Sequence, residues 1–69
     1  QEALQRRIEF IESGLQAATQ SMSEMKEAAT KGDLGQVERL RLAIGRSTRD
    51  VNAQLRGVRA VVIAGTADA

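Results

Sequence analysis

Two pairs of glutamates offer the first chemistry to consider. Glu9 and Glu12 lie one helical turn apart, as do Glu24 and Glu27. Inward-facing glutamates on facing helices hold di-metal centres in bundles, but those centres also draw histidines from Glu-x-x-His pairs. This chain contains no His, Cys, Trp, Tyr or Pro. Its glutamates also fall mostly off the apolar seam described below, so they read as a solvated helix face. The missing residue types remove the thiol nucleophile, the commonest general base, a Cys/His zinc site and any disulfide framework. Neither an enzyme activity nor a cofactor is expected.

The second chemistry is cationic. Residues 1–31 carry four basic and five acidic side chains, whereas residues 36–62 carry six arginines against Glu38 and Asp50. Arg39, Arg46, Arg49, Arg56 and Arg59 fall on the side of the second half away from its apolar seam. Such a stripe suits an acidic protein surface, lipid headgroups or RNA. RNA is disfavoured because no aromatic side chain is interleaved with the arginines for base stacking. An ordinary solvated face is the simplest reading, with Asp50 one turn from Arg46 expected to neutralise part of it. The net charge of the whole chain is only +1, which gives no overall pull toward nucleic acid or membrane.

Phe10 is the one aromatic residue. It lies beside the seam and should sit level with Gly57 in an antiparallel pairing. The nearby stretch Val58, Val61, Val62 and Ile63 is apolar on more than one face, so the end away from the turn should be broadly hydrophobic. Patches of that kind mark contact surfaces. Phe10, Val61 and Ile63 join the five arginines as candidate partner-binding residues. An alternative role for Phe10 is packing inside a fuller bundle, against a third helix.

Positioning these residues requires helices. Ala, Leu, Gln, Glu and Arg dominate the chain and Pro is absent, which favours helix throughout. Leu4, Ile8, Ile11, Leu15, Ala18, Met22, Met25 and Ala29 recur at alternating steps of 4 and 3, an unbroken heptad seam. Val37, Leu40, Ile44, Thr48, Val51, Leu55, Val58 and Val62 form a second seam, with a doubled step of 4 after Leu40. That doubled step is a stutter, which relaxes a supercoil locally. Polar Ser47, Thr48 and Gln54 on or near this seam are expected to fix register, and Leu42 should face outward.

Gly32 suits the left-handed residue past a helix end, with Lys31 in the preceding turn. Asp33 is a good N-cap, and Gln36 completes a capping-box pattern. The spacing predicts one helical module over residues 1–69: a first helix from Glu2 to Lys31, a turn at 32–33, and a second helix from Leu34 to Ala64, with Gly65–Ala69 frayed. The fold class is all-α, an antiparallel two-helix hairpin. Each helix would be about 45 Å long. The longest uninterrupted apolar run, residues 60–64, is far short of the roughly 20 residues that span a bilayer. No signal-peptide pattern is present.

Two helices enclose no core, and Gly14, Gly45 and Gly57 each lower helix stability by about 1 kcal/mol relative to Ala. The open flank is expected to meet a third helix, giving a three-helix bundle, or a second copy, giving a self-associated four-helix bundle. Leu15→Asp or Leu55→Asp should unfold such a bundle. Changing Arg46, Arg49 and Arg56 to Glu should leave the fold intact and weaken binding.

With these residues located, the chain resembles the N-terminal domain of the syntaxin 6 family of SNARE proteins. Leu4 leads to Ile8-Glu9-Phe10, where that family carries Ile-Glu-Trp in the second helix of a three-helix bundle. After the turn, Val37-Glu38-Arg39-Leu40-Arg41 and Ser47-Thr48-Arg49-Asp50-Val51 are similar to the opening and middle of the family's third helix. Residues 53–59, followed by Val61-Val62-Ile63-Ala64-Gly65, look like its ending. The likeness covers most of residues 4–65, and the family's first helix has no counterpart here. The resemblance implies a regulatory and docking domain in vesicle traffic between endosomes and the trans-Golgi network, at the cytosolic face of those membranes. Tethering factors, other SNAREs or a packing helix would be its partners. It implies no catalysis.

Two further functions stand beside that one. A homodimeric helical-hairpin adaptor, such as a small secretion co-chaperone, fits the same seams. A hairpin bundle that binds structured RNA fits the arginine stripe less well.

Overall fold

The turn sequence dictates the architecture. Our computed structural model describes residues 2–68, with side chains described over residues 2–65. Gly32 takes φ +75°, and among the described residues no side-chain-bearing residue has a positive φ. The Gly32 amide donates to the Ala29 carbonyl (3.1 Å) and the Asp33 amide to the Ala28 carbonyl (2.9 Å). This pair of bonds is a Schellman motif, and it ends α1, Glu2–Thr30. The next helix starts at once: the Asp33 carboxylate accepts from the Gln36 amide (3.2 Å), the N-cap bond of α2, Leu34–Asp68.

The capping box is only half made. The Asp33 amide is already held by Ala28 in the Schellman motif, so Gln36 Oε1 accepts instead from Arg39 Nε (3.0 Å) and Nη2 (2.9 Å). Asp33→Ala should therefore lower stability by about 1 kcal/mol, read as a fall in the midpoint of the thermal melt followed by circular dichroism.

Both helices match the expected ones to within a residue at the turn. At its far end α2 runs on to Asp68, past the fraying expected from Gly65. One glycine lowers helix stability by only about 1 kcal/mol, so Gly65 alone does not end the helix. Ala69 lies outside the described residues. The helices pack antiparallel along their length, as an all-α hairpin 56 Å long and 15 by 11 Å across in Cα extents.

The packed rows differ from the apolar seams. In α1 the residues that are not exposed are Leu4, Arg7, Ile11, Gly14, Ala18, Ser21, Met25 and Ala28. Half of the expected seam is here, and the other half, Ile8, Leu15, Met22 and Ala29, is exposed. The inter-helix contact is rotated toward the small residues Gly14, Ser21 and Ala28, where backbones can approach. Val51 Cγ2 occupies the space beside Gly14: a Cβ built on Gly14 would lie 2.7 Å from it. Close packing therefore decided the face, and hydrophobicity alone did not.

In α2 the corresponding row is Val37, Leu40, Ile44, Ser47, Val51, Gln54, Val58 and Val61, all buried or half-buried. Its steps alternate 3 and 4 without interruption. The expected stutter thus disappears, because the packed heptad runs through polar Ser47 and Gln54 where the apolar pattern runs through Thr48 and Leu55. Thr48 is exposed, and its hydroxyl donates to the Ile44 carbonyl (2.8 Å) of its own helix. The core is small. Ile11, Leu40 and Val51 are its buried large residues, joined by Ala18 and Ala28.

Candidate interaction surface

Arg7 and Gln54 define one side of the hairpin. Arg7 Nη1 donates to Gln54 Oε1 (2.9 Å), a part-buried bond between residues 47 apart in sequence. The Arg7 guanidinium lies where a side chain on Gly57 would have to go. Gly57 is thus level with Arg7, and Phe10 sits beside Gln54 in a shallow depression with Ala3 and Arg6. Nearer the turn, Glu24, Glu27 and Lys31 share the same side with Gln36. This side is mostly polar, and the Arg7–Gln54 bond crosses between the helices on it.

The opposite side is apolar. Ile8, Leu15 and Met22 flank the Leu4, Ile11, Ala18 row of α1, on the side away from Arg7 and Gly14. Leu55 and Val62 flank the Val51, Val58 row of α2, on the side away from Gln54. Since Arg7 and Gln54 meet on one side, these residues lie together on the other. Their exposures are nearly uniform: Ile8 43%, Leu15 50%, Met22 48%, Leu55 49% and Val62 50%. Two hydroxyls near this side, Thr19 and Thr48, donate to the Leu15 (2.9 Å) and Ile44 (2.8 Å) carbonyls. Covering the face would not strand either proton; the charged residue in the same row of α2 is Arg41, which is paired with Glu38.

The candidate partner-binding residues do not form one surface. Phe10 is exposed (55%) on the polar side. Ile63 is exposed (55%) and Leu42 faces outward as expected. Val61 is half-buried in the packed row of α2, so it contributes to the hairpin interior and not to an outer patch. The broad hydrophobic end expected from Phe10 and residues 58–63 is therefore divided among different faces.

All five arginines of the stripe are exposed. Arg39 is engaged by Gln36. Among the described residues Arg46, Arg49, Arg56 and Arg59 make no side-chain hydrogen bond or ion pair, and Asp50 does not bridge to Arg46 as expected. The ion pairs formed are Arg6 with Glu2 (3.1 Å) and Arg41 with Glu38 (2.6 Å). The Arg41 fork donates to both Glu38 oxygens. Hydrogen bonding to that guanidinium holds the Glu38 carboxyl below its ordinary range and raises Arg41 in return. Both groups are exposed, so the pair adds little to stability.

Glu9, Glu12, Glu24 and Glu27 are all exposed, and among the described residues no three metal-ligating side chains cluster. No helix in the described residues is long and apolar enough to cross a membrane. No protein-family model matches the chain, and neither a curated protein nor a solved structure matches it.

Sequence reasoning missed the inner placement of Arg7 and the position of Gly45 beside the apolar face. Arg7 was hidden because a charged residue breaks an apolar pattern, although it lies three residues after Leu4 and four before Ile11, the spacing of an inner row. Gly45 is an unforced glycine in mid-helix, with open space where its side chain would be. Its position on the helix wheel borders the apolar face.

Proposed function

We propose that this chain is a non-catalytic protein-interaction module that contributes two helices to a larger bundle. The observation that carries the reading is the row of half-exposed Ile8, Leu15, Met22 and Leu55 on one side of the hairpin. Most helical stability comes from covering such a face, and the inner rows alone bury few large side chains. The molecule works by having that face covered.

The likeness to syntaxin 6-type SNAREs gives this reading a specific form. The chain would then be part of a regulatory N-terminal domain acting in endosome to trans-Golgi traffic. A helix of the same domain would lie on the apolar face, and the back of α2 would present arginines to acidic tethering factors. The support for that form is the order of Ile8-Glu9-Phe10, turn and arginine-rich helix. The homodimeric adaptor makes the same use of the apolar face with a second copy.

Thermal unfolding of the purified chain at high dilution tests the module reading. An uncovered hairpin should show a broad transition at low temperature. A dilute monomer with a sharp transition in the range of about 45–65 °C typical of self-sufficient domains would overturn it.

A further inference from the structure

We infer that the occupant of the apolar face is a second copy of this chain, in a two-fold four-helix bundle whose axis passes by Leu15. This rests on the module reading above and names its partner. The first support is internal symmetry. Ile8 and Met22 lie seven residues either side of Leu15, and Leu15 lies within one residue of the middle of α1, Glu2–Thr30. A two-fold there stacks α1 antiparallel on α1 of the other copy over its whole length. Leu15 meets Leu15, and Ile8 meets Met22.

The second support is Gly45. The contact of Gly14 with Val51 sets the level of the two helices within one hairpin. An axis beside Leu15 therefore crosses α2 near Asp50, midway between Gly45 and Leu55. Leu55 of one copy then stands over Gly45 of the other. Within the hairpin a Cβ at Gly45 would meet nothing within 4 Å, so the lone hairpin gives no reason for a residue that weakens a helix. In the pair, Gly45 is the hole for the Leu55 knob.

Area agrees with this occupant, and charge does not oppose it. A face about 44 Å long and two helices wide offers roughly 800 Å² per copy, the size of a standard stable interface. Along α1 the rim residues Glu12 and Lys26 come opposite Thr19 and Gln5 of the second copy, so no like charges meet. Along α2, Arg41 comes opposite Arg59 of the second copy, but it arrives already paired with Glu38 (2.6 Å). The alternative two-fold, with α1 over α2, would set Leu15 on Thr48 and Met22 on Arg41, a poorer match.

The chain has no cysteine, so introduced thiols report cleanly. Sedimentation equilibrium of the wild-type chain should give twice the chain mass at high micromolar concentration. The thermal midpoint should climb with concentration, as mass action requires. Under mild oxidation Leu15→Cys should cross-link to itself. Leu55→Cys alone should not, whereas the Gly45→Cys, Leu55→Cys double variant should. Gly45→Gln introduces a good helix former at a position whose Cβ meets nothing within 4 Å in the hairpin, yet it should weaken dimerisation by at least about tenfold by filling the hole. Three results would overturn the inference: a monomer at every concentration, self-cross-linking of Leu55→Cys in place of Leu15→Cys, or tighter dimerisation of Gly45→Gln. A chain that stays monomeric and melts at low temperature refutes the second copy alone. A sharp-melting monomer refutes the module reading as well.

Discussion

Val51→Asp should abolish the cooperative thermal transition of this protein. Val51 is 6% exposed at the centre of the hairpin and lies against Gly14. A carboxylate there loses its water and finds no cation, since neither Gly14 beside it nor the other buried residues, Ile11, Ala18, Ala28 and Leu40, carries one. Burying such a group without a partner destabilises by about 4 kcal/mol or more, a large fraction of what a domain of this size possesses. Circular dichroism should show a featureless decline with temperature at any concentration. Leu15→Asp introduces the same chemistry with a different expected outcome. Its side chain can remain in water in the hairpin, so the broad, low-temperature transition of the dilute wild type should survive, with no dependence on concentration. The apolar pattern alone assigns Leu15 and Leu55 to the core, where either aspartate would unfold the chain directly. The packed rows give that role to Ile11, Leu40 and Val51.

Gly14→Leu should be damaging by a different route. A Cβ at position 14 already falls 2.7 Å from Val51 Cγ2, and a β-branched side chain has few rotamers with which to yield. The remaining atoms of leucine would wedge the helices apart at this level. Overpacking of this kind costs about 1–3 kcal/mol, occasionally more, although leucine is a better helix former than glycine. The change should lower the thermal midpoint and loosen protection of α1 and α2 amides around this level in hydrogen exchange. Coupling identifies the cause. Gly14→Ala combined with Val51→Ala should be less destabilising than the sum of the two single changes, because contacting residues are not additive. Strict additivity would mean that the close approach of these two residues is not what positions the helices.

The course of the chain is written locally. Gly32 and Asp33 specify the turn by local chemistry, a left-handed glycine and a side-chain cap, and heptad spacing specifies the two helices. Which flank of each helix turns inward is not written in apolarity. Ile8 and Leu15 are as hydrophobic as Ile11, and they lie outside only because Gly14, Ser21 and Ala28 let α2 approach from the other flank. The same rule explains why the row of α2 runs through Ser47 and Gln54. A polar residue can lie between two helices when it is small, like Ser47, or when it meets a partner, as Gln54 meets Arg7. Such pairings join residues far apart in sequence, so local periodicity carries no trace of them. The arginines were correctly placed outside, since a charged row opposite an apolar one is a local property. Their expected relief by Asp50 failed because a spacing of four makes an ion pair available without making it form. The apolar face itself was legible as a surplus: each seam held more large side chains than one neighbouring helix can cover.

The two methionines sit on either side of that surplus, Met25 half-buried in the inner row and Met22 48% exposed in the outer one. Peroxide converts an accessible methionine to its sulfoxide, so the two oxidation rates report separately on the two rows. Measured by mass spectrometry across a concentration series of the purified chain, both residues should react readily when dilute and gain protection over the same concentration range. That parallel follows if the outer row must be covered for the inner row to hold firmly. A strongly protected Met25 beside a freely reactive Met22 would mean that the hairpin stands unaided with its apolar face in water, and would contradict the need for a partner.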